Sequence, residues 1–323
     1  MLEMPPSFRK IDYALRPAKH TERRMLCDIL RKLSAFGSLT DYIYVGFGAI
    51  TFTDFTLFHK ALGIIDMISI ERSVGALQRL KYNKPFSTIT LINKTSSAAL
   101  PLLKWGNPHI IWLDYDDPLN LSMFDDVGIV ADHANSGTAL AFSFQCNKAT
   151  ELEVPIASGE TYVHKFTSNY GRDRVPANLD ETDLTGWRFG DLGAKMLIDE
   201  INSILATRNA SLEDEADRIK FKMLANIKYS DNALMQTIVG VFVSGKDTEK
   251  VEAAKFNDLD FLERGNSIKI EVPKLTLREI RFLEQQLPLR DGSTLDSGSI
   301  PSSDAKAFKE LYRYLPNFSV LET

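Results

Sequence analysis

The chain has 323 residues, 44% hydrophobic and 25% charged, and its formal net charge is −5. This composition is typical of a folded protein with a large core, and it excludes disorder as the main state and a basic surface that binds nucleic acid throughout. Two cysteines in no metal-binding spacing exclude a disulfide framework and predict no metal site, while the absence of long apolar runs predicts a cytosolic protein without membrane contact.

Helices and strands alternate through the first half of the chain. A helix starts after Pro17 and ends by Gly37, in a basic segment (9–32) that is typical of a solvated helix face and less often of a phosphate-facing patch. The next predicted helices are 53–62, 74–82, 97–105 and 121–133, and the predicted strands are 42–46, 66–71, 88–93, 109–117 and 138–146.

The second half breaks this alternation. Residues 147–186 form a polar segment that is too long for a simple connection, so we expect an inserted recognition segment or lid. Helices are predicted at 187–207, 211–224 and 276–287, and strands at 233–244 and 267–272. The segment IKYSDN, just before the strand 233–244, is its expected hairpin partner. A linker (290–303) and an amphipathic stretch follow.

Apolar strands separated by helices predict a doubly wound, Rossmann-like α/β fold with a mostly parallel sheet and a late antiparallel hairpin. We expect an N-terminal helical segment (1–40), a Rossmann-like domain (41–245) and a C-terminal α+β extension (246–323). In this fold class ligands bind beyond the carboxyl ends of the strands. The residues that follow each strand are therefore the candidates for function.

Gly46 and Gly48 follow the first strand, and Glu71 ends the second. Glycines here allow a ligand close to the backbone, and a carboxylate 25 positions after Gly46 can accept hydrogen bonds from both ribose hydroxyls. The same glycines are also typical of a tight strand-to-helix turn. A nicotinamide dinucleotide site needs glycine or alanine at the position that Thr51 occupies, which leaves an oxidoreductase as a weaker alternative.

The order of Glu71, Asn93 and Asp116-Asp117-Pro118 along the chain resembles the class I S-adenosylmethionine-dependent methyltransferase superfamily, and more loosely bacterial proteins grouped as putative O-methyltransferases. The resemblance covers residues 19–244. Two departures from the pattern are Tyr44, where many members have an acid, and Ile50, where many have a third glycine.

The resemblance implies that S-adenosylmethionine is the cofactor and assigns a set of residues to it. Glu71 would hold the ribose, the glycine turn the amino-acid part, and Asn93 or Thr95 the adenine. The N-terminal helical segment (1–40) would cover the cofactor site, and its first helix would contribute a cation. The implied cofactor residues are Lys19, Gly46, Phe47, Gly48, Glu71, Asn93, Thr95 and Asp114.

The segment DYDDP offers three carboxylates at the catalytic position of the fold. Strand alternation predicts that Asp114 and Asp116 point the same way, so that they orient an acceptor and activate it, or hold a divalent cation; Asp117 would contact the acceptor. The alternative is that Asp117 caps the next helix and Asp114 satisfies loop backbone.

A hydroxyl acceptor needs a base, and the histidine side chain is the residue type suited to this role near neutral pH, which makes His133 and His164 the candidates. Both positions are also typical of structural roles, His133 as a cation at a helix end and His164 as a surface loop residue. The insertion combines aromatic and cationic side chains that can bind an anionic acceptor or simply be solvated: Tyr162, His164, Lys165, Tyr170, Arg172 and Arg174.

The sequence therefore predicts a methyltransferase that acts on oxygen, with the acceptor open among small molecules, nucleotides and proteins. No aromatic residue follows Pro118 to stack on an extruded base, so nucleic-acid N-methylation is a further alternative that is not favoured. A non-catalytic protein that binds a nucleoside ligand or a partner remains open, and the departures at Tyr44 and Ile50 favour it.

Overall fold

A computed structural model of the chain describes residues 16–72, 75, 77–262, 265–290 and 292–317. These residues form an eight-stranded sheet in the order β3-β2-β1-β4-β5-β7-β6-β8. The strands are β1 (Ile43–Phe47), β2 (Met67–Ile70), β3 (Ile89–Ile92), β4 (His109–Pro118), β5 (Ala139–Gln145), β6 (Ile219–Ser230), β7 (Leu234–Ser244) and β8 (Ser267–Ile270).

The first five strands are parallel to one another, while β7 runs antiparallel to both β5 and β6. The chain therefore has the predicted doubly wound, mostly parallel sheet with a late antiparallel hairpin. The hairpin places β7 between β5 and β6. The strand order reverses between β1 and β4, so the crevice in which this fold class binds ligands lies beyond their carboxyl ends, near the middle of the sheet.

Helices cover both faces of the sheet. They are α1 (Pro17–Arg31), α2 (Thr53–Leu62), α3 (Leu77–Asn83), α4 (Ser96–Ala99), α5 (Leu121–His133), α6 (Tyr162–Tyr170), α7 (Gly186–Asn209), α8 (Thr248–Ala254), α9 (Leu277–Glu284) and α10 (Ser302–Leu311). One core lies under α1, α2 and the C-terminal helices, and a second lies under α4 to α7. Among the described residues, no helix combines the length and the apolar character that crossing a bilayer requires.

Two predicted helices are wrong. Residues 211–224 contain only a short 3-10 turn and the first half of β6, because the alternating IKFKM segment has the period of a strand and pairs along β7. The predicted helix 97–105 is the single turn of α4 followed by a 3-10 turn, since Pro101 has no N–H to continue an α-helix.

The insertion 147–186 is an ordered part of the fold. An antiparallel bridge joins Lys148 to Thr185 at its base, and α6 occupies its centre, with Thr161 accepting a hydrogen bond from the His164 N–H as the N-cap. Arg174 makes two hydrogen bonds to the Glu200 carboxylate on α7, at 2.8 and 3.0 Å. The segment is therefore fixed to the helix layer on the α5–α7 face.

The C-terminal residues continue the same sheet. β8 pairs in parallel with β6, and side chains of α9 and α10 join the core under α1. The predicted boundaries at 40 and 245 stay predictions. Residues 1–15, the start of the predicted helix 74–82 and the end of the final stretch lie outside the described residues.

Candidate active site

The glycine turn after β1 is shaped by two side chains beneath it. A Cβ at Gly46 would lie 2.5 Å from the phenol oxygen of Tyr44, and one at Gly48 would overlap the hydroxyl of Ser69. Tyr44 in turn donates a hydrogen bond to the Asp54 carboxylate at the start of α2. Packing alone therefore requires both glycines, whatever ligand approaches the turn from above.

The ends of β2 and β3 are joined next to this turn. The side-chain amide of Asn93 donates to the backbone carbonyl of Glu71 at 2.7 Å, and the N–H of Glu71 donates to the carbonyl of Ile92 at 3.0 Å. Both predicted cofactor residues are half-buried at the carboxyl edge of the sheet, while Thr95 is exposed at the N-cap position of α4. The structure thus brings Glu71 and Asn93 together.

An aromatic pair connects the end of β1 to β4. The ring of Phe47 meets that of Tyr115 edge-on, with centroids 5.1 Å apart. Tyr115 donates to the buried Asp126 carboxylate at 2.6 Å, and that carboxylate also accepts from Ser96 and Ser97 at the start of α4. Burial and the adjacent carboxylate raise the pKa of Tyr115 well above its usual value. This network fixes the loop after β3 against the end of β4.

Lys19 of α1 reaches across the sheet to Asp114. Its ammonium nitrogen lies 2.6 Å from Asp114 Oδ1, 2.8 Å from Glu22 Oε2 and 3.0 Å from the Tyr229 hydroxyl, and 4.5 Å from the centre of the Trp112 ring. Hydrogen bonds to Asp114 and Tyr229 use two of the three N–H donors of the ammonium group, and Glu22 lies against it as an ion pair. Lys19 is 2% exposed, so the geometry fits a residue that orients Asp114 better than one that touches a ligand.

The partners of Lys19 are themselves buried. Burial raises the pKa of Glu22 although Lys19 opposes the shift, and one carboxylate oxygen of Glu22 accepts a hydrogen bond from Thr237 on β7. Burial also raises the pKa of Tyr229 on β6 well above its usual value. Glu22 is three residues from Lys19 on the same helix, but sequence reasoning missed Thr237 and Tyr229, which the hairpin brings to this cluster without a local motif.

The N-terminus of α1 is capped by a distant residue. Asp231, in the β6–β7 turn, accepts hydrogen bonds from the backbone N–H groups of Ala18 and Lys19 at 3.2 and 2.7 Å. Arg16, at the N-cap position, provides no side-chain cap. The turn therefore holds the end of the helix that carries Lys19.

The three carboxylates of DYDDP do not share one environment. Asp114 pairs with Ser143 of β5 and Pro118 pairs with Gln145, so four residues of β4 lie opposite two of β5. This bulge interrupts the regular alternation of side chains between the two faces of the sheet. Asp114 is half-buried with a side chain 28% exposed, whereas Asp116 and Asp117 are exposed. Asn120, not Asp117, takes the N-cap position of α5. The basis for pairing Asp114 with Asp116 is therefore lost.

The two candidate histidines lie away from Asp114. His133 ends α5, and its ring is 5.5 Å from Trp105, which packs against His109 at the first residue of β4. That is the opposite edge of the sheet from the crevice. His164 is exposed on α6, with its ring nitrogen 3.9 Å from the Glu160 carboxylate.

The predicted substrate residues of the insertion are also separated. Tyr170 is buried and donates to the carbonyl of Leu119 at 2.6 Å, and it packs among aromatic rings of the second core. Tyr162 is half-buried, and Arg172 is exposed beyond the end of α6. In the described part of the chain, no group of three or more histidine, cysteine, aspartate or glutamate side chains is arranged to hold a metal ion.

Comparison with solved structures found relatives of low identity. Trm1 of Pyrococcus horikoshii, solved with S-adenosyl-L-methionine, is 12% identical with a TM-score of 0.42, over 76% of this chain and 60% of that chain. A putative S-adenosylmethionine-dependent methyltransferase of Listeria monocytogenes is 9% identical with a TM-score of 0.39, over 67% and 98%. An O-methyltransferase family protein of Burkholderia thailandensis is 10% identical with a TM-score of 0.33, over 69% and 56%.

The chain spans 43% and 53% of two further solved proteins that it matches. No curated protein matches it significantly. A family model described as putative O-methyltransferase matches residues 11–323, nearly the whole chain. The chain therefore belongs to this putative O-methyltransferase family.

Proposed function

We propose that this protein transfers a methyl group from S-adenosylmethionine to an acceptor oxygen in the crevice beyond β1, β2 and β4. The observation that carries the proposal is the arrangement of Glu71, Asn93 and Asp114 around one edge of a sheet with the 3-2-1-4-5-7-6 order. Family membership supports the same reaction.

The side chains at this edge fit the cofactor chemically. The Glu71 carboxylate would accept from the ribose hydroxyls, and the oxygen of the Asn93 amide is available for the adenine amino group because its nitrogen is used internally. The buried hydroxyl of Ser69, which has no hydrogen-bond partner among the described residues, lies directly under the glycine turn. When bound, the cofactor supplies an electrophilic methyl group on a sulfonium.

The residues of the chain then align the acceptor and take up its proton. Methyl transfer breaks the sulfur–carbon bond and forms an oxygen–carbon bond, and a hydroxyl acceptor gives up its proton. Asp114 Oδ1 is held by Lys19 and the side chain is 28% exposed, so Oδ2 would be the oxygen that accepts that proton or orients the hydroxyl. Asp117, Tyr162 and Arg172 stay proposed acceptor contacts, and Asp116 stays a proposed catalytic residue. His133 gains no support from its position.

The test of the cofactor is calorimetric titration with S-adenosylmethionine and, in parallel, NADH. Wild-type protein should bind S-adenosylmethionine at micromolar concentration, and Glu71→Ala should weaken binding by about tenfold or more, or about 1.4 kcal/mol. Glu213→Ala removes an exposed carboxylate after α7 and should change nothing. Unchanged affinity in Glu71→Ala, or binding of NADH alone, would contradict the proposal.

A binding protein without transfer activity is the second candidate. It is favoured by the burial of Lys19, Glu22 and Tyr229, which leaves Asp114 as the one group of this network that reaches the crevice. Cofactor binding without formation of S-adenosylhomocysteine across hydroxyl acceptors would support it, whereas turnover that falls in Asp114→Asn would support the transferase.

The cellular location of the protein is also a proposal. We place the protein in a bacterial cytoplasm, which is consistent with two cysteines that are both free and buried. Burial raises the pKa of Cys27 to about 11 and that of Cys146 to about 12, so both thiols stay protonated at neutral pH.

A further inference from the structure

Arg23 lies on the inner face of α1, one turn beyond Lys19. The helix packs along α2, and at its far end Arg31 donates to the carbonyl of Ala61 at 3.0 Å. Lys19 at the near end meets Asp114 at the carboxyl end of β4. Residues four apart share a helix face, so Arg23 follows Lys19 along the border between the crevice and the start of α2.

The side chain of Arg23 is largely buried, and its Nε is unpartnered. The residue is 8% exposed, and its Nε has no hydrogen-bond partner. No hydrogen bond or ion pair within 4 Å joins this side chain to another residue in the described ranges. A guanidinium carries five donors and a permanent charge, and burying it without acceptors is costly unless a ligand supplies them.

The charges around Arg23 restrict the ligand that it can bind. The charge of Arg23 acts on the Asp54 carboxyl, which accepts a hydrogen bond from Tyr44, and the Glu22 and Asp114 carboxyls share Lys19 one helical turn away. Three carboxyl groups in this cluster disfavour a doubly charged phosphate. A zwitterion with one carboxylate and one ammonium group fits, because Arg23 can take the carboxylate while Asp114 Oδ2 accepts from the ammonium.

We propose that Arg23 binds the carboxylate of the amino-acid part of the ligand in the crevice. This inference rests on the proposed function, since it takes that ligand to be S-adenosylmethionine or its product. It names a ligand-contacting residue on α1 other than Lys19, whose ammonium group is buried against Asp114, Glu22 and Tyr229. The planar fork of a guanidinium suits bidentate binding of a carboxylate, which a lysine at this position would lack.

The test compares two ligands that differ by the amino-acid part. Calorimetry is run with S-adenosylhomocysteine and with 5′-deoxy-5′-methylthioadenosine, which keeps the nucleoside and the thioether but has no carboxylate or ammonium group. Arg23→Met should weaken S-adenosylhomocysteine binding by about tenfold or more and leave methylthioadenosine binding within about threefold. Arg24→Met, which removes the neighbouring exposed arginine, should change neither affinity.

Each other outcome has a definite meaning. Equal losses for both ligands, or no loss for either, would overturn the inference and leave Arg23 as a structural counter-charge for Asp54. Failure of the wild type to bind both ligands would contradict the proposed function and the inference with it. If Arg23→Met does not fold, Arg23→Lys keeps the charge and should still lose affinity for S-adenosylhomocysteine selectively.

Discussion

Charged side chains at the crevice stabilise one another through buried ion pairs. Lys19 pairs with two carboxyl groups at once, and one of them, Glu22, is completely buried. Removing one member of a buried ion pair leaves an uncompensated charge, which costs more than the pair contributes. The stability of the site therefore depends on how many charges remain unpaired.

This dependence is testable by a double-mutant cycle on Lys19 and Glu22. Lys19→Met leaves the Glu22 and Asp114 carboxyls without their cation and should lower the free energy of unfolding by about 3–5 kcal/mol. Glu22→Gln keeps the shape of the side chain, and in its background the same lysine substitution should cost about 1–3 kcal/mol less. Urea unfolding of the four proteins measures both values, and strictly additive losses would show that the two charges do not interact.

At the scale of elements, α1 owes its position to the hairpin on the far side of the sheet. Its first N–H groups are satisfied by Asp231, more than 200 residues away in the sequence, rather than by a residue before the helix. Because α1 carries both Lys19 and Arg23, the β6–β7 turn determines where two cations lie relative to Asp114.

Loss of this distant cap should loosen α1 specifically. Asp231→Ala removes the acceptor of two N–H groups and should cost about 0.5–2 kcal/mol, with faster hydrogen exchange in peptides from α1. Asp214→Ala is a matched control, since Asp214 caps a local 3-10 turn through the Ala216 N–H at 2.8 Å. Unchanged exchange in α1 of the Asp231 variant would refute this account of the helix position.

The elements differ in how far the sequence could predict them. Buried parallel strands such as β1 and β4 show as apolar runs, and their order along the chain was enough for the fold class. The helix predicted at 211–224 was wrong because the alternating lysines of β6 also fit a short helical pattern. The pairing with β7 decides in favour of the strand. Local patterns likewise identified Lys19 and Asp114 but could not show that they contact each other.

At the scale of the whole molecule, the sheet separates the crevice from a second buried titratable group. His109 begins β4 at the opposite edge, fully buried with its ring 4.9 Å from that of Trp105. Burial lowers the pKa of His109 from 6.5 to about 4. This group therefore reports on global stability without involving the ligand site.

His109 makes the free energy of unfolding depend on pH, because the folded and unfolded chains bind its proton at different pH values. The unfolded chain protonates His109 near pH 6.5 and the folded chain only near pH 4, so lowering the pH across this window favours unfolding. The difference corresponds to about 3 kcal/mol, present above pH 6.5 and lost as the pH falls to about 4. Carboxyls with a raised pKa, such as Glu22 and Asp54, act in the opposite direction at acidic pH.

A variant isolates the histidine from these other groups. His109→Leu removes the titration but keeps an apolar side chain against Trp105, so its free energy of unfolding should fall less than that of the wild type between pH 6.5 and 4, by up to about 3 kcal/mol. The carboxyl groups are common to both proteins and cancel in the comparison. Urea unfolding at half-unit pH steps measures the difference. Parallel curves for the two proteins would mean that His109 protonates equally in both states, and the sheet would then not shield it from solvent.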